Sequence, residues 1–242
     1  IGQYGQDSGS MITLAHPNLE RKIIFDDQHP TLLICENPHE YYNFVTDLLT
    51  EFQGGLSQFS FWDGLDSVRG DKVGELLLNN FSFDLAEKKI VGLVCKKLRR
   101  NYLDGTFMAE FNEINCKLAA FLSDLCQTVD FSLDFEELTI DDLFKCCSVR
   151  PAAVYHSLLE KIVCYINLLT ELKGSFCYVF VGLKDVLSDE DLCQLYNHCR
   201  LMKVGLLLLE SNHRRPLIDD ERAIVITDDL CEIHENFDDE IV

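Results

Sequence analysis

Phe176-Cys-Tyr-Val-Phe-Val-Gly-Leu183 and Val204-Gly-Leu-Leu-Leu-Leu-Glu210 are apolar almost throughout, and Ser188 stands between them with Asp191 three residues on. A short run without polar alternation reads as a strand buried on both faces, and a serine followed by an acid at that spacing reads as a helix capping box. Strand, helix, strand is the repeating unit of a parallel sheet with helices on its faces. Upstream, Leu158, Leu159, Ile162, Val163, Ile166 and Leu169 recur at helical spacing between Pro151, which is expected to open a helix, and Gly174, which closes it. Downstream, 223–227 adds a strand.

The beginning of the chain repeats this alternation. Thr31 to Glu36 is a continuous apolar strand, and Pro38 opens a helix that places Tyr41, Phe44, Val45, Leu48, Leu49 and Phe52 on one face. Gly54 and Gly55 stop that helix, and 59–62 is a second strand, so 31–62 is expected to be a β-α-β unit. Two alternating runs around Pro17 and Asn18 predict a hairpin over 11–25. Residues 66–150 contain no comparable strand and read as helices with breaks at Asp104-Gly105 and around 130–139. The expected fold is therefore α/β: a mostly parallel sheet in a head made of 11–65 and 151–242, with a helical leg, 66–150, inserted into it. The Gly-, Gln- and Ser-rich residues 1–10 read as an expression scar ahead of a start at Met11.

The composition limits the classes of function. Hydrophobic residues make up 47% of the 242, enough for a packed core, and 41 acidic against 21 basic residues give a formal charge of −20. That balance argues against general attraction to nucleic acid, so the location of the few cations decides what the chain can hold. The cysteines are odd in number, eleven, and mostly embedded in apolar runs; they read as reduced core residues rather than a disulfide framework or zinc site. No stretch approaches the ~20 apolar residues of a membrane span, and cytoplasm is the expected compartment.

Lys88, Lys89, Lys96, Lys97, Arg99 and Arg100 pack six cations into thirteen residues. At about 100° per residue, Lys89, Lys96 and Arg100 fall on one stripe of a helix, with Val91, Val94 and Leu98 opposite. A solvated face would ordinarily mix signs, and here only Glu87 interrupts; the row suits phosphates as well as it suits plain solvation. Arg69 and Lys72 are weaker additions. Asp130, Asp134, Glu136, Glu137, Asp141 and Asp142 form the complementary acidic run, whose hard oxygens would suit calcium or magnesium. The spacing is not that of an EF-hand. Thr139 with Asp142 is also a capping box, which needs no metal.

Where a phosphate-cradling glycine-rich loop would follow the first strand, the sequence reads Asn37-Pro38-His39-Glu40, and no Gly-x-Ser-x-Gly elbow occurs anywhere. Glu87-Lys88-Lys89 has a nuclease-like spacing but falls on a helix, and His156 and His198 read as packing or surface residues within helices.

The strand-helix start at 31–36, the acidic segment leading into Glu137-Leu-Thr-Ile-Asp-Asp-Leu143, the strand 177–183 with Leu187-Ser-Asp-Glu-Asp-Leu192, and Leu206-Leu-Leu-Leu-Glu210 followed by Ile226-Thr-Asp-Asp-Leu230 together resemble the type II-A CRISPR-associated spacer-acquisition ring proteins. The resemblance covers nearly everything after Met11. It implies an NTPase-like head that has lost its phosphate loop, a helical leg, and a ring-shaped homotetramer. It further implies a non-catalytic protein that binds double-stranded DNA through a central channel, independently of sequence and preferentially from ends. The same resemblance implies a role in acquiring spacers beside the adaptation integrase and the type II effector nuclease, with Ca2+ held at the positions matching Asp130, Asp134, Glu136, Glu137 and Asp142. Ser132 departs from the family's acidic pattern, which leaves the number of ions open. The DNA contacts, Lys88 to Arg100 with Arg69 and Lys72, rest on charge alone. Two rivals stand beside this reading: a metal-dependent nuclease using the acidic cluster, and a scaffold whose leg recruits other adaptation proteins.

Overall fold

The computed structural model describes residues 12–152, 154–213 and 215–237; the scar at 1–10 lies outside them. The chain forms two compact units, one ending at Phe83 and resuming at Tyr155, the other spanning Asp84–Val154.

The first unit is built on two sheets. Strands β1 (Ile12–Ala15), β2 (Ile23–Phe25), β4 (Ser60–Asp63) and β5 (Asp66–Val68) form an antiparallel sheet in the order β2-β1-β4-β5. Strands β3 (Thr31–Cys35), β6 (Gly74–Leu77), β7 (Cys177–Val181), β8 (Gly205–Glu210), β9 (Arg222–Ile226) and β10 (Glu232–Glu235) form the larger sheet in the order β10-β9-β3-β8-β7-β6. All its neighbours are parallel except β10, which runs antiparallel along β9.

Alternation along these strands sorts the core into two layers. Leu33, Cys35, Val179, Leu207, Leu209 and Ile224 face the small sheet and helix α1 (Pro38–Phe52), meeting Leu14, Phe61, Phe44 and Leu48 in one fully buried cluster. The opposite face carries the helices α6 (Leu158–Lys173) and α7 (Asp189–Met202), where Tyr178 donates its hydroxyl to the Ile166 carbonyl at 3.0 Å. Side chains buried this completely each contribute roughly 1.5–3 kcal/mol, which is why the all-apolar runs commit to central strands. Gly74 is required by this packing: a Cβ there would lie 2.4 Å from the Cys177 carbonyl oxygen on the neighbouring strand.

The hairpin, the strand from Thr31, the helix from Pro38, the Ser188–Asp191 capping box and the Gly174 stop, at φ +72, all form as the sequence predicts. Four expectations are corrected. Residues 31–62 are not a β-α-β unit, because β4 pairs with β1 in the small sheet rather than beside β3. Residues 66–77 are not leg: they supply β5, the single-turn helix α2 (Gly70–Val73) and β6, which edges the large sheet, so the change to the helical unit comes at Asp84. Pro151 does not open α6; the helix starts at Leu158, where Ser157 accepts the Glu160 amide and supplies the cap that proline lacks. All eleven cysteines are free, but only Cys35, Cys177 and Cys199 are buried, so most of them are not core residues.

The second unit consists of α3 (Lys88–Asp104), α4 (Phe107–Cys126) and α5 (Ile140–Cys146). The breaks fall at 105–106 and 127–139, as expected. Among the described residues, no helix is long and apolar enough to cross a membrane.

Candidate nucleic-acid interface

Helix α3 packs through Ile90, which is buried, with Val91 and Val94 half-buried beside it. Leu98, expected on the packed side, is exposed. Opposite Val91, Val94 and Leu98, the stripe Lys89, Lys96 and Arg100 is exposed, as is Lys88 at the helix start, whereas Lys97, seven residues after Ile90 and on its face, is half-buried. None of these five forms an ion pair among the described residues. Gly92 leaves the space between Lys89 and Lys96 open, with nothing near its missing Cβ. At 1.5 Å per residue the row from Lys89 to Arg100 extends about 17 Å, the length of about five phosphates along one DNA strand.

The other predicted cations are not available in the same way. Arg99 is exposed but committed: its Nε donates to Asp141 Oδ1 at 3.1 Å and its Nη2 to the second oxygen, and this partner raises its pKa. Arg69 and Lys72 belong to the first unit, where Asp71 holds Arg69 at 2.9 Å and sits 3.8 Å from the Lys72 ammonium. The structure thus keeps the central row and removes Arg99, Arg69 and Lys72 from the set of unpaired cations.

The charge is also divided unequally along the chain. The second unit holds nine of the basic residues against twelve acidic ones, leaving twelve basic against twenty-nine acidic in the first. Among the described residues, α3 is where unpaired cations recur at helical spacing, in the less acidic of the two units.

The acidic run does not assemble. Asp130, Asp134, Glu136 and Glu137 are exposed on the irregular segment 127–139, which Asn115 ties to α4 by donating to the Leu138 carbonyl at 2.9 Å. Asp142 completes the predicted cap on α5: its amide donates to Thr139 Oγ1 at 3.2 Å, and its carboxylate accepts from the Thr139 hydroxyl and from Lys145 at 3.1 Å. Those bonds, the Thr139 hydroxyl first, hold its pKa below the usual carboxylate value. Among the described residues, no three Asp, Glu, His or Cys side chains gather as a divalent ion requires. As arranged in one chain, the five predicted ligands do not fit calcium.

At the carboxyl edge of the large sheet, where open α/β folds place their ligands, the start of α1 is closed. Asn37 Oδ1 accepts the amides of His39 and Glu40 at 3.0 and 3.1 Å, and Pro38 has no amide to offer. A small pocket remains over Leu32 and Ile34, lined by Lys184, Asp185, Glu210, Asn212, His213 and Arg215. The Lys184 ammonium is bound to Glu221 at 2.8 Å, and the same carboxylate accepts Tyr196 at 2.6 Å and the Ile218 amide at 2.8 Å. Burial, with Asp185 nearby, raises Glu210 to about 7 against backbone bonds from Lys184 and Leu183 and the Lys184 charge. The two fixed cations of this edge are already engaged, Lys184 by Glu221 and Arg215 by Asp189 at 3.0 Å. His156 lies ahead of α6 rather than within it, and His198 on α7 is engaged with Asn167 at 2.7 Å.

One feature was missed at the level of sequence. Phe107, Phe111, Ile114, Leu118, Phe121 and Leu125 follow one another on α4 at steps of four, three, four, three and four, the heptad spacing of a helix seam. Phe111 is buried and meets Tyr102 of α3 edge-on at 5.7 Å, but Phe107, Ile114, Phe121 and Leu125 are more than half exposed. Counting that spacing would have revealed the seam.

A family model described as CRISPR-associated protein (Cas_Csn2) matches residues 56–230. The chain belongs to the Cas_Csn2 family. The match runs from the loop before β4 through the whole helical unit to the turn after β9, so α3, α4 and the acidic segment are all family sequence rather than an appendage. No curated protein matches the chain. As a Cas_Csn2 member, it is a CRISPR-associated protein.

Proposed function

We propose that this Cas_Csn2 chain is a non-catalytic, double-stranded DNA-binding protein of spacer acquisition, working as a ring of four copies beside the adaptation integrase and the type II effector nuclease. The observation that carries the reading is the stripe Lys89, Lys96 and Arg100 on α3, with Lys88 at its start, unpaired among the described residues of a chain whose formal charge is −20. Such a row meets phosphates without reading bases, so affinity is independent of sequence and steeply dependent on salt. The half-exposed seam of α4 supports self-assembly, since large apolar stripes left uncovered mark protein interfaces. The Asn37 cap at α1 argues against a nucleotide-driven role. No step is routed through calcium, because among the described residues the five matching carboxylates do not gather.

The test is fluorescence anisotropy of purified protein with linear and circular duplexes across a salt series. Tight, sequence-independent binding to the linear form that falls along a log-log line is the expected result. A flat salt response, or fragments released from the duplex in magnesium, would overturn the reading.

A further inference from the structure

The chain leaves the head for the helical unit after Phe83 and returns at Tyr155. Lys161, in the first turn of α6, stands at both crossings. Its ammonium lies 4.2 Å from the centre of the Phe83 ring and 5.6 Å from that of Tyr155, and it donates to the Phe81 carbonyl at 3.2 Å. Both rings fall within the ~6 Å over which an aromatic face attracts a cation. One helical turn on, Tyr165 meets Phe83 edge-on at 5.1 Å, so two residues of α6 four apart grip the same ring.

The helix that carries the cation is firmly seated. Ile162, Ile166 and Leu169 are buried, and Lys173 pairs with Glu75 of β6. Each crossing also has local support. Asn79 Oδ1 accepts the amides of Phe81 and Ser82 at 3.0 and 3.2 Å, and on the return the His156 amide donates to Glu160 at 2.5 Å. Those bonds stay within six residues of chain and join neither crossing to the other. The ammonium does, because Phe83 is the last residue of the first unit before the helical one and Tyr155 the first after it.

We propose that Lys161 is a charge-dependent latch, holding the outgoing and returning crossings together through α6, so that loss of its positive charge frees both at once. The latch is independent of the DNA-binding reading. It makes the neck sensitive to any chemistry that neutralises one amine, such as acylation.

Hydrogen exchange of the full chain, followed by mass spectrometry, tests this. Lys161→Met keeps the apolar stem and removes the charge. Peptides covering 79–86 and 154–158 are then expected to exchange roughly three- to thirtyfold faster, the range of a partly desolvated cation–π contact, with β7 and β8 unchanged. Lys161→Arg, whose guanidinium also stacks on rings, should retain the slow exchange. Acceleration at one crossing alone, at neither, or equally in the Arg variant overturns the latch. Should Lys161→Met unfold the head, seen as equal acceleration in β7 and β8, the comparison moves to Lys161→Gln, which removes the charge but keeps a polar end. Faster exchange at both 79–86 and 154–158 with β7 and β8 unchanged then supports the latch, and change at one crossing alone or at neither overturns it.

Discussion

Arg99 of α3 donates through Nε to Asp141 of α5 at 3.1 Å, so the basic and acidic stretches cancel one another at one point. The pairing separates Arg99 from its neighbour Arg100, which has no such partner among the described residues. Arg100→Ala, Lys96→Ala and Lys89→Ala are each expected to weaken duplex binding at low salt and to reduce the log-log salt slope by about one. Arg99→Ala should leave that slope unchanged, and Asp141→Asn, which releases Arg99, should steepen it. Anisotropy titrations across salt decide this, and an Arg99→Ala slope that falls as far as that of Arg100→Ala would refute the assignment.

Assembly should depend on the open part of the α4 seam. A buried Ile or Phe contributes about 1.5–3 kcal/mol, so Ile114→Asp or Phe121→Asp is expected to weaken self-association at least tenfold. Sedimentation velocity would show the shift toward monomer. Sedimentation profiles identical to the parent would place the contact elsewhere.

How much of this was readable beforehand follows the strength of the local signals. Thr31–Cys35, Cys177–Val181 and Gly205–Glu210 are apolar at nearly every position, and Ser188–Asp191 and Gly174 carry their own caps, so these elements were legible. The strand Gly74–Leu77 was not: Gly-Glu-Leu-Leu is short, contains a carboxylate paired with Lys173, and becomes a strand only because Cys177 lies alongside it. Spacing likewise revealed the basic stripe but not that Asp141 would take Arg99, a partner forty-two residues away. Tertiary pairing of charges leaves no periodic trace in sequence.

Stability should carry a pH signature from Glu210. Its ordinary value of 4.5 is raised by burial to about 7, so between those limits the folded chain keeps a proton that the unfolded chain has released. Stability therefore declines as pH rises from about 4.5 to about 7 and levels off above. Glu210→Gln cannot lose that proton, and relative to the parent it is expected to gain on the order of 3 kcal/mol between pH 4 and pH 8. Urea denaturation at several pH values measures this, and parallel profiles for the two proteins would contradict it.

Calcium uptake by the isolated chain is expected to be weak while Lys145 occupies Asp142. Lys145→Ala removes that competitor and should tighten calcium binding, read by calorimetry. Tight uptake by the parent, unaltered in Lys145→Ala, would mean that Asp142 is not a ligand.

Asn37 satisfies the amides of His39 and Glu40 with its own side chain, so those two backbone donors at the start of α1 are not offered to a phosphate. On the reading proposed above, in which a ring holds a duplex, its release is expected to be driven from outside, by ions, by a competing protein or by shortening of the thread.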